Sequence, residues 1–434
     1  MKALLYILPA FVAATLCAQQ PVPARPQTKS ILLMNGTAHL GNGQVIENSV
    51  IGFKDGKIML VGDARTVRIE SGAWDTTISI AGKHVYPGII AANSTMGLIE
   101  VESVRATRDF AEVGTYNPEI RSIIAYNTDS KVQPTVRTNG VLLAQITPRG
   151  GRICGMSSIV ELEGWNWEDV TLKFDDGIHL NWPSVISRSF GDEGPGPFEK
   201  SKTYDKQLQE LENFFAEAKA YAESEKPEET NLRFEAMKGL FKGEKTLYLR
   251  ADYVKEITEA VAFARRMNVK KAVIVGGRDS WMCTQVLKEN NIAVMLGRTH
   301  DLPARADDDV DQPFKTPYLL QQAGLLFCIQ NEGDMEAQQS RNIPFLAGTA
   351  AAYGLTKEEA LAAVTFNAAK ILGIDARVGT LEPGKDATLF ISTGDALDMR
   401  TNNVEWAWVR GKKLDLTNEQ IGLYKRYSEK YGQR

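Results

Sequence analysis

Histidine and cysteine are scarce in this sequence, which has only four of each among 434 residues. Cys154, Cys283 and Cys328 are widely spaced and lie in apolar sequence, so they do not form the framework of a disulfide-rich fold. We expect these three thiols to be buried and free. A large excess of positive charge is also missing, because the formal net charge is -4. This excludes a dedicated nucleic-acid surface.

Long hydrophobic runs are missing after the first twenty residues, MKALLYILPAFVAATLCAQQ. One basic residue followed by an apolar run and small residues is typical of a secretory signal, so residues 1–18 are predicted to be removed after Ala18. The run is short and no second one follows, so no membrane span is predicted. We therefore expect a periplasmic or extracellular protein. A lipid anchor at Cys17 is the alternative, disfavoured because Leu16 is not a small neighbour.

Short β-type segments lie at both ends of the remaining chain, and longer units lie between them. Asp55-Gly56 separates two alternating apolar segments and predicts a hairpin. The central region has continuous apolar runs separated by segments of helical periodicity, which is typical of strands buried on both faces. Such units form a doubly wound sheet or a (β/α)8 barrel. The runs are Val141–Ile146, Thr246–Leu249, Lys271–Gly277, Ile292–Gly297 and Leu325–Gln330.

Helix-capping residues and one insertion complete the pattern. Asp252 is the predicted N-cap of a helix ending near Arg266, and Thr356 with Glu359 predicts a capping box. Gly373 is the predicted end of that second helix. Residues 191–230 begin with glycines and prolines and continue as a charged amphipathic helix. We expect this insertion to lie over one mouth of the central domain, in a role that the sequence does not define.

Three sequence blocks resemble the imidazolonepropionase-like amidohydrolases of the amidohydrolase superfamily. They are NGTAHLGNGQVIENSVIGFKDGKIMLVGD, AGKHVYPGIIAANSTMG and GLTKEEALAAVTFNAAKILGIDARVGTLEPGKDATLFI. The resemblance implies an α/β fold, a (β/α)8 TIM barrel with a small composite β-sandwich formed by both chain ends. The expected division is the signal peptide at 1–18, the first sandwich part at 19–85, the barrel at 86–384, and the second sandwich part with a terminal helix at 385–434.

Members of this family use zinc or another divalent metal to activate water, held by histidines and carboxylates at the ends of barrel strands. The resemblance places Asn93-Ser94-Thr95 where the first strand should provide His-x-His. It places Arg250 at the fifth-strand histidine and Val275-Gly276 at the sixth. Only Glu332 offers a carboxylate, at the eighth-strand aspartate. Because arginine is a fixed cation, no metal and no cofactor are expected.

Two kinds of site are predicted for this altered barrel mouth. Asn93, Thr95, Arg250 and Glu332 would form a ligand pocket at the former metal positions. A metal-free reaction would instead use Arg250 to stabilise an oxyanion, with Glu332, Asp252 or His300 handling a proton. His300 lies in GRTHDLPAR and, as the histidine expected nearest the mouth, could alternatively be a hydrogen-bonded structural residue.

Three functions follow from these observations. The first is a pseudoenzyme, a non-catalytic binding or partner subunit that binds a small molecule or forms a homo-oligomer or a hetero-oligomer with a metal-competent relative. The second is an active hydrolase of non-peptide carbon–nitrogen bonds with an atypical site. The third is a scaffold protein of the cell envelope. The loss of the metal-binding imidazoles favours the first over the second.

Overall fold

The computed structural model describes residues 22–70, 72–191, 194–224 and 229–433. The predicted signal peptide and Cys17 lie outside the described residues. The strands are β1 Ile31–His39, β2 Val45–Lys54, β3 Lys57–Asp63, β4 Thr76–Ser79, β5 His84–Pro87, β6 Ile89–Ser94, β7 Val141–Ile146, β8 Ile153–Glu161, β9 Thr171–Asn181, β10 Ile186–Gly191, β11 Gly194–Lys200, β12 Thr246–Ala251, β13 Ala272–Gly276, β14 Ala293–Leu296, β15 Phe327–Ile329, β16 Leu389–Ser392, β17 Val404–Val409 and β18 Lys412–Lys413.

The helices alternate with strands mainly in the second half of the barrel. The α-helices are α1 Val132–Arg137, α2 Trp167–Val170, α3 Tyr204–Glu223, α4 Leu232–Lys242, α5 Val254–Arg266, α6 Thr284–Glu289, α7 Gln312–Gln322, α8 Glu336–Gln339, α9 Ile343–Ala352, α10 Lys357–Val364, α11 Phe366–Leu372 and α12 Glu419–Lys430. Short 3-10 helices occupy Arg105–Thr107, Ser122–Ala125, Ser280–Met282 and Ser340–Asn342. No helix in the described ranges is both long and apolar enough to cross a bilayer.

The central domain is an eight-stranded, nearly closed barrel in the order β6-β7-β8-β9-β12-β13-β14-β15. This confirms the predicted TIM-barrel architecture, with one departure. Strand β8 runs antiparallel to both β7 and β9, whereas the other neighbouring pairs are parallel. A parallel pair needs a crossover of about a dozen residues or more, and the connections at 147–152 and 162–170 are too short for one.

Burial explains why the barrel strands read as continuous apolar runs. Every residue of β6, β7 and β8 is buried, because one face lines the barrel interior and the other is covered. On α5, the buried face includes Ile257 and Val261. The N-cap of α5 is Tyr253, one residue later than predicted, and Glu256 closes a capping box there. The carboxylate of Asp252 is therefore left to face the barrel mouth.

Both chain ends contribute to a second sheet with its own hydrophobic core. Its order is β18-β17-β16-β5-β1-β2-β3, with β4 also paired to β1. The predicted hairpin joins β2 to β3, and Asp55 and Gly56 both have positive φ angles of 50° and 78°. Phe53 and Trp408 meet edge to face at 5.5 Å between ring centroids. This contact joins the first and last parts of the chain.

The insertion after β9 begins with a hairpin, which precedes the predicted charged helix. Its glycine- and proline-rich beginning forms the hairpin of β10 and β11. Helix α3 then packs on the outside of the barrel, where Phe215 contacts Phe263 of α5 with ring centroids 4.9 Å apart. Gln207 of α3 accepts a 2.9 Å hydrogen bond from Arg152, beside the mouth. This bond brings the first part of the helix to the rim of the mouth.

Three cysteines are free and buried, as expected: Cys154, Cys283 and Cys328. One buried ion pair connects the two parts of the fold. Arg410, in the turn between β17 and β18, places its Nε 2.6 Å from Oε2 of Glu161 at the end of β8. The Glu161 side chain is fully buried. Burial raises the pKa of Glu161 to about 7, and the positive charge of Arg410 opposes that rise.

We predict that Arg410→Ala lowers the free energy of unfolding by about 2 kcal/mol at pH 8, because it leaves a buried carboxylate without its cation. The pKa of Glu161 is higher folded than unfolded, so the folded state holds the proton more tightly and stability falls as pH rises toward about 7. The loss should therefore be smaller at pH 5. Urea denaturation at both pH values measures it.

The matched control is Arg400→Ala, which removes an arginine that is 85% exposed and pairs with Asp398. An exposed pair of this kind contributes little to stability, because water and salt screen it. Equal losses in the two variants, or a loss for Arg410→Ala that is independent of pH, would contradict the role assigned to Glu161.

Candidate functional site

The candidate site lies where the parallel barrel strands end, and Asn93 at the end of β6 is at its centre. Asn93 has a positive φ of 52°, and the register between β6 and β7 shifts between Ala91 and Ser94. Asparagine tolerates this left-handed conformation better than most residues. The resulting bulge interrupts the regular pairing of the strand and turns the fully buried Asn93 toward the mouth.

All the hydrogen-bonding groups of the Asn93 side chain have partners. Its Oδ1 accepts from Arg149 Nη1 at 3.1 Å and from Arg250 Nη2 at 3.2 Å. Its Nδ2 donates to Gln330 Oε1 at 3.3 Å, across the gap where β15 and β6 have no backbone pairing. Asn93 therefore joins two guanidinium groups and closes the barrel between its first and last strands.

Each guanidinium group also binds a carboxylate. Arg250 Nη1 donates to Glu332 Oε2 at 2.8 Å, joining the ends of the fifth and eighth barrel strands. Arg149 Nη2 donates to both oxygens of Glu336 at 2.8 and 3.0 Å, and to the Asn93 carbonyl at 2.8 Å. Burial lowers the pKa of Arg149, and Glu336 raises it. Arg149 and Arg250 are therefore each neutralised by a carboxylate of their own.

Asp252 lies beside the Arg250–Glu332 pair in a confined space. Burial, and then the negative charge of Glu332, raise the pKa of Asp252 to about 6, while Arg278 and Arg250 lower it. The backbone N–H of Arg278 donates to Asp252 Oδ1 at 3.3 Å. A Cβ added to Gly276 would meet this same oxygen at 2.6 Å. The end of the sixth strand is thus shaped around Asp252 and leaves no room for a histidine side chain.

A buried polar network fills the barrel below the mouth. Asp176 accepts from Tyr248 Oη at 2.7 Å, from Ser157 Oγ at 2.7 Å and from Gln145 Nε2 at 3.0 Å. His179 Nε2 lies 2.9 Å from Ser157 Oγ, and its ring stacks on Tyr248 at 4.5 Å. Burial, together with the positive charges of Arg149 and Arg250, lowers the pKa of His179 well below its usual value. His179 is therefore neutral.

Arg149 and His179 are among the residues of this region that the sequence analysis did not identify. Arg149 lies in TPRGG after β7, and a charged residue at the end of a buried strand was the available signal. The DDG sequence before His179 is typical of a turn, but the structure places it within β9, where Asp175 has a φ of 47°. A strand that continues through this irregular residue carries His179 into the barrel interior.

The predicted site residues do not all meet. Asn93, Arg250, Asp252 and Glu332 lie together, whereas Thr95 lines a smaller cavity on the Arg149 side. His300 is separate, and its Nε2 lies 2.6 Å from Thr349 Oγ1 of α9. A cavity of about 400 Å3 opens over Arg250, Asp252 and Glu332. It is lined by Arg250, Asp252, Gly276, Arg278, Leu296, Gly297, Arg298, Asp301, Leu302, Pro313, Thr316, Glu332 and Gly333.

These side chains do not fit a catalytic divalent metal. The donor positions hold an amide, a guanidinium group, a glycine and a single carboxylate, and the guanidinium group of Arg250 bridges Asn93 to Glu332. A guanidinium group has no lone pair for a metal and repels its charge. Within the described ranges, no cluster of three or more His, Cys, Asp or Glu side chains could hold a metal ion.

The fold is shared with solved hydrolase structures. An amidohydrolase from Thermotoga maritima matches with a TM-score of 0.74 and 22% identity, over 89% of this chain and 99% of its own. An Xaa-Pro dipeptidase solved with bound methionine matches with a TM-score of 0.53 and 14% identity, over 89% of this chain and 100% of its own. A zinc-bound adenosine deaminase from Xanthomonas campestris matches with a TM-score of 0.52 and 14% identity, over 92% of this chain and 98% of its own. These likenesses establish the amidohydrolase fold.

Sequence comparison gives a family match for one part of the chain. Residues 331–414, which begin beside Glu332, match the amidohydrolase family. A search of curated proteins gives no significant match. This match agrees with the predicted resemblance over the last part of the barrel and the start of the second sandwich part. Membership of the whole chain in the amidohydrolase superfamily and the imidazolonepropionase-like subtype remain predictions.

We predict that Arg250→Ala lowers the free energy of unfolding by about 1–2 kcal/mol at pH 8, because Glu332 and Asp252 then repel each other without their cation. The pKa of Asp252 is already raised to about 6, so the folded state binds its proton more tightly and stability falls as pH rises through that region. Removing Arg250 should raise this pKa further. Denaturation curves from pH 5 to pH 8 measure the change.

Asp252→Asn provides the internal control. In the double variant with Arg250→Ala, the loss of unfolding free energy should become nearly independent of pH, because the titrating carboxyl of Asp252 beside Glu332 has been removed. An unchanged pH dependence in the double variant would show that another group is responsible.

Proposed function

We propose that this protein is a non-catalytic amidohydrolase-fold protein whose barrel mouth binds a ligand or partner without a metal. The observation that carries the proposal is the ion pair between Arg250 and Glu332, held in place by Asn93. It occupies the positions at which the resemblance implies metal ligands. A positive side chain there supplies the charge that the remaining carboxylate requires, so the barrel is stable without an ion.

The paired arrangement on the Arg149 side supports the same proposal. Arg149 and Glu336 are largely buried, with side chains 16% and 11% exposed. Removing one partner of such a pair is costly, because it leaves an uncompensated charge. A metal ion could therefore bind at the mouth only if the hydrogen bonds among Asn93 and the two ion pairs were broken.

The cell location and the partners belong to the same proposal. We infer export to the periplasm or the extracellular space through the leader at residues 1–18. The altered mouth would then serve a small-molecule ligand, or a homo-oligomer or hetero-oligomer with a metal-competent relative. The match of residues 331–414 to the amidohydrolase family supports an amidohydrolase lineage, and the residues at the mouth support the loss of its metal chemistry.

The metal content of the purified protein tests this proposal. The protein is incubated with Zn2+ or Mn2+ and passed through gel filtration. We then predict far less than one equivalent of metal per chain, measured by inductively coupled plasma mass spectrometry. One equivalent that is retained by the wild type and lost in Glu332→Gln would contradict the proposal. Glu235→Gln, which alters an ion pair with Lys238 on α4, is the matched control.

An active hydrolase of carbon–nitrogen bonds is the second candidate function. Asp252 favours it, because a buried carboxyl with a pKa raised to about 6 can accept and return a proton near neutral pH. Arg250 lines the same cavity and could stabilise a developing oxyanion. Glu332 is held by Arg250, which leaves Asp252 as the better base of the two.

We predict that the metal-free wild type hydrolyses a panel of N-acyl amino acids and cyclic amides no faster than Arg250→Ala or Glu332→Gln. Product release is measured by chromatography against a buffer blank. Turnover by the wild type that disappears in both variants would establish the second function in place of the first. His300→Ala should behave like the wild type in either case, because His300 lies outside this cavity.

A further inference from the structure

Arg298 differs from Arg149, Arg250 and Arg278 because it has no carboxylate partner among the described residues. Arg149, Arg250 and Arg278 each bond to a carboxylate, those of Glu336, Glu332 and Asp301 respectively. Within the described residues, the Arg298 guanidinium group forms neither an ion pair nor a side-chain hydrogen bond. It nevertheless lines the cavity of about 400 Å3 that opens over Arg250 and Asp252. A cation with five unused donors therefore faces a space that a small molecule can enter.

The position of this guanidinium group is defined by packing. A Cβ added to Gly333 would lie 3.1 Å from the central carbon and from both terminal nitrogens of Arg298. The guanidinium plane thus lies against the bare backbone of Gly333. Gly333 also has a φ of 106°, a conformation that side chains rarely adopt. Glycine at this position gives Arg298 a fixed platform beside Glu332.

The other charges in the cavity do not neutralise Arg298. Arg250 is paired with Glu332, and Arg278 with Asp301 at 3.3 Å. Asp252 accepts the backbone N–H of Arg278 at 3.3 Å and lies against Gly276. The internal pairs leave Arg298 as the donor group that a ligand can engage without breaking an existing bond.

Apolar side chains form another part of the same cavity. Leu302 lines this cavity and is 77% exposed. Pro313 and the buried Leu296 also line the space. A ligand with an apolar body would cover Leu302 while its polar end reached Arg298, which is the usual division of contacts in small-molecule sites.

We propose that this cavity binds a small molecule in which an oxyanion group, carboxylate or phosphate, is attached to an apolar body. The oxyanion receives paired N–H bonds from Arg298, the geometry for which a guanidinium group is best suited. The apolar body contacts Leu302 and Pro313. This inference rests on the proposed function, since it names the class of ligand for the same metal-free mouth.

The test uses the mature chain treated with a chelator and three probes: sodium hexanoate, inorganic phosphate and hexylammonium chloride. The midpoint of thermal unfolding is followed against probe concentration, with ionic strength fixed by sodium chloride. Binding to the folded state raises this midpoint in a saturable manner. We expect saturation with hexanoate or with phosphate, and the probe that saturates identifies the oxyanion. We expect none with hexylammonium.

Variants locate the site. Arg298→Ala should weaken binding by about tenfold or more, Arg298→Lys should give an intermediate loss, and Arg400→Ala on the exposed surface should match the wild type. No saturation with either anion, equal binding by Arg298→Ala, or preference for hexylammonium would each overturn the inference.

The outcome is distinguishable from failure of the proposed function. An equivalent of tightly bound metal that depends on Glu332 would refute the metal-free mouth, whatever the anions do. A metal-free protein that binds neither anion would refute only the ligand class assigned here.

Discussion

The arrangement of the barrel mouth depends on Asn93, whose one side-chain oxygen accepts hydrogen bonds from both Arg149 and Arg250. Two like charges are held close together here, which is stable only because Glu336 and Glu332 neutralise them. The same asparagine reaches Gln330 across the unpaired edge of the barrel. The side chain of Asn93 therefore contributes both to the closure of the barrel and to the placement of the two charged pairs.

The altered positions are coupled physically, which explains why they form a set. Arg250 brings positive charge to the carboxylate of Glu332, and Gly276 provides the space that Asp252 occupies. A histidine in place of Arg250 would leave Glu332 without its cation. A histidine in place of Gly276 would collide with the carboxylate of Asp252. The mouth is consequently a packed and hydrogen-bonded surface, and the cavity beside it has Arg298 as its free cation within the described residues.

Much of the fold could be predicted from the sequence because it depends on local patterns. Apolar runs located β7 and β12, and Asp55-Gly56 located the first hairpin, since burial on both faces and positive φ angles leave direct traces in residue type. The antiparallel course of β8 left no such trace. It follows from connection length, which becomes informative only when the strand boundaries are known.

Prediction of the site was less complete, because contacts between distant residues decide it. The family resemblance pointed to Arg250 and Glu332, and the structure brings their side chains to 2.8 Å. Arg149 was not identified, since its partner Glu336 is distant in sequence. The most direct test of this account is anomalous diffraction from a crystal soaked in Zn2+. The account predicts no zinc peak between Asn93, Arg250 and Glu332, with the ion pair intact. A peak at that position, with Arg250 displaced, would contradict it.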